Sequence, residues 1–185
     1  MSAFTIDPTL YEGRPADCTG RDPREIACYD LLDRLGVPFF RLDHDEAPSI
    51  ECCAAVEARL GTDICKNLFL CNRQKTQFYL LLMPGDKEFR TKDFSAQLGI
   101  SRLSFAGPEP MEEYLGVTPG SVSVLGLLND PDNTVRLVID RGVVDGRPFI
   151  GCHPCRNTSS LRIATSDLLE KILPALRHDP TYVSL

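Results

Sequence analysis

Two apolar runs, Cys65–Cys71 and Phe78–Met83, joined by the polar segment Asn72-Arg73-Gln74-Lys75-Thr76, constrain this chain more than any other feature. Such a pair predicts a β-hairpin. Leu68, Phe69 and Leu70 are apolar at successive positions, so the first strand is expected to be buried on both faces. A contradiction sits at its mouth, where Lys66 and Asn67 precede the apolar residues. Side chains alternate along a strand, so Lys66 shares a face with Leu68 and Leu70. An ammonium aimed with two leucines either snorkels to solvent at the strand end or is held in a cleft to meet an anion or a polarised carbonyl.

Around this hairpin the chain alternates between helix and strand signals. Residues 1–20, rich in Pro, Gly, Asp and Thr, read as a loosely attached N-terminal arm, with residues 21–185 as the domain. Asp22, Pro23 and Glu25 mark a helix start in capping-box register, and Gly36 marks its end. A strand is expected over Val37–Leu42, and a helix over Ser49–Leu60 with Pro48 ahead of it. Beyond the hairpin come a short helix from Thr91 to Gly99, a strand over Arg102–Ala106, and a short helix over Pro110–Leu115. An apolar run follows over Val122–Leu128, with strands over Val135–Asp140 and Pro148–Cys152. The last helix, Leu168–Leu176, carries Pro174 near its end. Short strands interrupted by helices in this irregular order predict one mixed α/β (α+β) domain with a mixed sheet, and not a doubly wound one.

The 185 residues suffice for one domain with a sizeable core. A net charge of −6 argues against a protein that coats nucleic acid through a dominant basic surface, though it allows a local basic rim. Arg73, Lys75, Lys87, Arg90 and Lys92 are expected to supply that rim. No apolar run approaches the ~18–20 residues of a membrane helix. The N-terminus also lacks the basic and apolar regions of a secretory signal. A cytoplasmic protein that contacts neither membrane nor DNA is expected. The eight cysteines follow no framework spacing and are expected to serve mainly as small core hydrophobes.

Cys152-His153-Pro154-Cys155 has the C-x-x-C spacing of metal and redox sites, but no second ligand pair stands at a usable distance, so no metal and no cofactor is expected. His153, where an apolar strand runs into Asn157, Thr158 and Ser159, is either a structural hydrogen-bonder or part of a polar pocket at strand ends. The loop Gly116-Val117-Thr118-Pro119-Gly120-Ser121 lacks the Lys-Ser/Thr ending of a phosphate loop. A glycine in such a loop lets backbone N–H groups approach a ligand closely. No G-x-S-x-G elbow and no nucleophile triad is recognisable.

Taken in order, Lys66-Asn67-Leu68-Phe69-Leu70, the run Arg102–Ala106, Gly116–Ser123, Gly126-Leu127-Leu128-Asn129-Asp130, Ile139-Asp140, and His153-Pro154 followed by Asn157-Thr158 resemble the YbaK/ProX family. Its members are relatives of the editing domain of bacterial prolyl-tRNA synthetase. The Lys-Asn pair looks most like the PrdX-like branch that deacylates alanyl-tRNA(Pro). The resemblance implies a single domain with a curved, barrel-like mixed sheet surrounded by helices. It implies hydrolysis of the ester between a wrong amino acid and the tRNA acceptor end, with prolyl-tRNA synthetase as a further partner. Carried over by position, Lys66, Asn67 and His153 are the catalytic residues. Gly120 and Ser121 begin a G-x-x-x-P loop that binds the substrate together with Asn157 and Thr158. The fifth position of that loop is Val124 in place of proline, and cysteines flank the His-Pro pair. A deacylase for Cys-tRNA(Pro) or a Ser/Thr-type tRNA, and a binding module without turnover, are the alternatives.

Overall fold

The computed structural model describes residues 4–47 and 50–185. Its strands are β1 (Tyr11–Glu12), β2 (Phe39–Asp43), β3 (Lys66–Cys71), β4 (Phe78–Met83), β5 (Ser104–Phe105), β6 (Val135–Asp140), β7 (Phe149–Cys152), β8 (Ser159–Ala164) and β9 (Thr181–Val183). Its principal helices are α1 (Pro23–Arg34), α2 (Ile50–Leu60), α3 (Thr91–Leu98) and α4 (Pro108–Leu115), with the short α5 (Arg141–Val144) following β6. The expected start of α2 at Pro48 and Ser49 lies outside the described residues.

The hairpin organises the larger sheet as its sequence predicts. β3 and β4 pair antiparallel from Lys66 opposite Met83 to Cys71 opposite Phe78. The turn is tied by Asn72 Oδ1, which accepts from the N–H groups of Thr76 at 2.8 Å and Gln77 at 3.1 Å. β4 is buried along its whole length, and its side chains divide at period two. Phe78, Leu80 and Leu82 enter the main core, whereas Tyr79, Leu81 and Met83 enter a second cluster with Leu70, Phe94 and Val138. β6 and β9 extend the sheet in parallel, giving the order β5-β3-β4-β6-β9.

The remaining strands form a second, antiparallel sheet in the order β1-β2-β8-β7. The expected barrel-like sheet is therefore corrected to two open sheets. Among the described residues an isolated bridge, Ile64 with Gly151, links them, where Cys65 N–H donates to Gly151 O and Gly151 N–H to Asp63 O. A Cβ at Gly151 would lie 2.7 Å from Asp63 O, so only glycine permits this approach. The bridge does not propagate into a ladder.

Three local features differ from the sequence expectation. The segment read as a loose arm is docked from residue 4 onward: β1 pairs with β2, Arg14 bridges Asp30 and Asp33 of α1, and Phe4 and Ile6 pack on Leu42, Val56 and Leu60. The apolar run after Ser121 forms a 3₁₀ turn, Val124–Asn129, capped by Ser123. The last helix begins earlier, at Thr165, and takes a π turn over Leu168–Ile172 directly before Pro174. Proline has no N–H and crowds the carbonyl a turn earlier, and a π register relieves both demands. No helix among the described residues is long and apolar enough to cross a membrane.

Candidate active site

The two polar residues that open β3 fall on opposite faces of the sheet. Lys66 lies on the face of Leu68 and Leu70, and its ammonium is held rather than left to solvent: Nζ donates to the Lys87 carbonyl at 2.8 Å. Lys87 is fixed in turn by its own ammonium, 2.8 Å from Asp140 Oδ2. The Asp140 carboxylate is only 1% exposed and also accepts from the N–H groups of Gly142 and Leu185. The end of β6 thus positions a carbonyl, and that carbonyl positions Lys66.

Asn67 points toward the main core. Its Nδ2 donates to Cys65 O at 3.0 Å, while its buried Oδ1 has no partner among the described residues. An unpaired buried acceptor costs about 1–3 kcal/mol unless a ligand donor meets it.

A cavity of about 440 Å³ opens at this point, lined by Lys66, Asn67, Gly120, Val122 and His153. That volume lies within the ~300–1,000 Å³ range of small-ligand sites. Three carboxylates, Glu57 of α2, Asp63 and Asp86, complete the polar lining. Glu57 is held by accepting the Ile64 N–H at 2.9 Å, and Asp63 is paired with Arg147.

The opposite wall consists of two loops tied together. Ser123 Oγ donates to the His153 carbonyl and accepts from Leu125 N–H. Gly120, at φ +88°, occupies a backbone region that disfavours any side chain, and a Cβ there would stand 3.9 Å from Asn157 Nδ2. The Ser121 N–H is already used, donating to Thr118 O at 3.0 Å. The N–H groups of Gly120 and Val122 meet no acceptor among the described residues, and both residues line the cavity.

His153 Nδ1 donates to Ser159 O at 3.0 Å, which leaves Nε2 as the acceptor of a neutral ring. Behind it, His44 Nε2 accepts from Ser160 Oγ at 2.9 Å while His44 Nδ1 donates to Asp45 O. Ser160 Oγ stands 3.4 Å from His153 Nδ1. Burial lowers the pKa of His153 below the usual histidine value, partly opposed by the Ser159 hydrogen bond and reinforced by neighbouring His44. Burial lowers His44 in the same way. Both rings are neutral at neutral pH.

The thiols at the cavity belong to a different category. Burial pushes Cys65 up to about 11 and raises Cys53, so neither is a thiolate at neutral pH. Cys152 and Cys155 are both buried, the latter with its sulfur 3.5 Å from Cys28 Sγ, and all three are free. No group of three or more potential metal ligands occurs among the described residues.

Of the residues singled out in the sequence, the structure brings Lys66, Asn67, Gly120 and His153 to one cavity. Ser121, Asn157 and Thr158 stand behind its wall: Ser121 is buried, Asn157 backs Gly120, and the Thr158 carbonyl accepts the His44 N–H at 3.0 Å. The rim expected from Arg73 and Lys75 is displaced, since both lie in the β3–β4 turn at the far end of the strand from Lys66. Sequence reasoning missed the carboxylates, Val122, the Asp140–Lys87 support and His44. They come from separated elements with no shared spacing, and only the Ile139-Asp140 strand end carried a visible signal.

The fold is a mixed α+β domain whose cleft gathers a lysine, a side-chain amide and a neutral imidazole. The family model of the aminoacyl-tRNA editing domain matches residues 44–171, and the chain belongs to that family of aminoacyl-tRNA deacylases. It is 33% identical to the prolyl-tRNA editing protein ProX of Acetoanaerobium sticklandii, over 78% of this chain and 87% of that one. It is 30% identical to the prolyl-tRNA synthetase associated domain-containing protein 1 of Danio rerio, over 84% of each. A solved structure described as a candidate trans-editing enzyme for prolyl-tRNA synthetase superposes with a TM-score of 0.62 at 17% identity, covering 89% of this chain and 98% of that one. The last comparison concerns the fold alone.

Proposed function

We propose that this protein acts in trans-editing for prolyl-tRNA synthetase, hydrolysing mischarged alanyl-tRNA(Pro) by direct water attack, with residues 21–185 as the editing unit. The observation that carries this reading is the convergence of Lys66, Asn67, Gly120 and His153, from three distant segments, on one cavity. An aminoacyl ester is already activated, so positioning and charge stabilisation suffice without a covalent nucleophile. The protonated Cys65 and Cys53 thiols agree with that route.

In this reading a water oxygen attacks the ester carbonyl, the bond to the ribose oxygen breaks, and that oxygen leaves with a proton. The Lys66 ammonium and the N–H groups of Gly120 and Val122 stabilise the oxyanion. The neutral Nε2 of His153 accepts a hydrogen bond from the water or from the ribose 2′-hydroxyl. Asn67 lines the wall beside the α-ammonium, whose charge is balanced by Glu57 and Asp86. Ser121, Asn157 and Thr158 support the binding loops. The products are free amino acid and tRNA.

The cavity is larger than an alanyl group needs, so its volume alone does not refuse proline. Exclusion falls to contact with the Val122 and Cys65 wall, because attraction to one methylene is worth only about 1–3 kcal/mol. Val124, the departure from the loop pattern, is buried at the first position of the 3₁₀ turn, where Ser123 already fixes the chain. That placement supports a formed loop and turnover over a binding module without catalysis. The test is deacylation of Ala-, Cys- and Pro-tRNA(Pro) by the purified protein. Release from the alanyl ester with the prolyl ester spared is expected. Preferential release from Cys-tRNA(Pro) would reassign the substrate, and no release above buffer from any misacylated tRNA would overturn the reading.

A further inference from the structure

A second depression adjoins the cavity, and Lys66 is the residue common to the linings of both. It is an open groove of about 550 Å³ on the Leu68 face of β3. Its floor is aromatic. Phe105, at the edge of the larger sheet and opposite Leu70, is 60% exposed, which is unusual for so large an apolar side chain. Phe89 stands edge-on to it, with ring centroids 5.9 Å apart, and is backed by the buried Phe94. The fixed Phe89 wall leaves the outer face of Phe105 open to a ligand.

The rim of the groove is cationic. Arg90, Lys92 and Arg102 line it together with Lys66. Arg90 is paired with Glu88, but Lys92 and Arg102 have no acidic partner among the described residues. In a chain of net charge −6, this local run of basic groups opposes the overall balance. Exposed aromatic faces between unpaired cations are the combination that binds single-stranded nucleic acid: bases stack, and phosphates meet the ammonium and guanidinium groups.

We propose that this groove binds the unpaired 3′ end of an RNA, with one base stacked on Phe105 and the backbone following Arg102 and Lys92 to Lys66. The strand would then cross Lys66 into the cavity. Assigning it to the acceptor end of a tRNA rests on the deacylase reading; binding of single-stranded RNA in the groove does not.

The probe is a fluorescein-labelled RNA hairpin with an unpaired 3′ ACCA end, compared by anisotropy with the same hairpin ending blunt. The overhang is expected to bind at least about tenfold more tightly, and Phe105→Ala to remove about tenfold, the scale of one lost stacking contact. Arg102→Ala and Lys92→Ala are each expected to reduce the salt slope by about 0.7. Arg73→Ala, at the far end of the hairpin, should leave affinity unchanged. These side chains are exposed, so a matched thermal melt verifies folding of each variant. Equal binding of blunt and overhanging hairpins, or unchanged affinity in Phe105→Ala and Arg102→Ala, would overturn the inference. Deacylation assayed in parallel separates the two readings. Turnover with a KM indifferent to Phe105 and Arg102 removes the groove and keeps the deacylase. Phe105-dependent binding of the overhang without hydrolysis of any aminoacyl-tRNA does the reverse.

Discussion

The cavity and the groove differ in the feature that matters most to a charged ligand. The cavity carries Glu57, Asp63 and Asp86 around a neutral imidazole, whereas the groove carries Arg90, Lys92 and Arg102 around two phenylalanines. An aminoacyl-tRNA end has the same polarity, with an α-ammonium on one side of the ester and phosphates on the other. Lys66, shared by both linings, stands where that polarity changes. A lysine there can assist an oxyanion without drawing the RNA backbone into the cavity, because the carboxylates beyond it repel phosphate.

At that boundary, Lys66→Ala should have the largest effect of any single change. Deacylation is expected to fall on the order of a hundredfold, the scale of losing one transition-state donor. Single-turnover rates at saturating tRNA are the appropriate measurement, since they separate chemistry from binding. An unchanged rate would return Lys66 to the role of a strand-end charge that only satisfies the Lys87 carbonyl.

The next effect belongs to the cavity alone. Burial holds His153 below the ordinary histidine value of 6.5, so activity that needs neutral Nε2 should be flat around neutrality. It should then fall about tenfold per pH unit once the pH is below the depressed pKa. The same burial links to stability. The unfolded chain takes up protons on His44 and His153 near 6.5 while the folded chain resists them. Stability is therefore complete above 6.5 and declines as pH falls from there toward the folded values. A rate midpoint at or above 6.5 would show that the catalytic imidazole is not this buried ring.

The two walls of the cavity also differ in how far the sequence discloses them. Lys66 and Asn67 sit on a regular strand, where period two dictates that one shares the face of Leu68 and the other that of Phe69. Hydrophobic pattern alone therefore placed them. The loop wall is set by single side-chain bonds, such as Ser123 to the His153 carbonyl, and by the Thr118–Ser121 turn. No periodicity encodes those, so the residues alone leave His153 as either a structural hydrogen-bonder or a pocket residue, and only the resemblance selects it and Gly120 for the site; the Ser121 N–H is spent in the turn. Tertiary pairing was equally hidden. β8 had no visible partner in the sequence, and whether two sheets merge or stay open depends on the close approach at Gly151.

A smaller change tests the acidic side of the boundary. Glu57→Gln keeps an oxygen for the Ile64 N–H and removes only the charge. KM for the aminoacyl-tRNA is expected to rise about three- to tenfold with little change in melting temperature, the range of a partly exposed charge contact. Binding of the deacylated RNA end in the groove should be unaffected. An equal loss for acylated and deacylated RNA would show that the carboxylates do not face the amino group.

The smallest expected effect concerns Val124. In a helix-like turn the first residue has no internal hydrogen bond to lose, and proline's fixed φ suits that position. Val124 is followed by Leu125, whose N–H already goes to Ser123 Oγ, and by Gly126, whose N–H goes to the Ser123 carbonyl. Val124→Pro thus removes no described bond and limits the unfolded chain, worth about 0.4–1 kcal/mol where the geometry is compatible. A rise of roughly 1–3 °C in melting temperature is expected, at about 2–4 °C per kcal/mol for a chain of this size. The alanyl rate should stay within about threefold, because Gly120 and Val122, and not Val124, line the cavity. A large gain in discrimination against prolyl-tRNA would instead mean that the loop breathes in the present chain, and that the stiffness of this wall, rather than its contacts, sets the sieve.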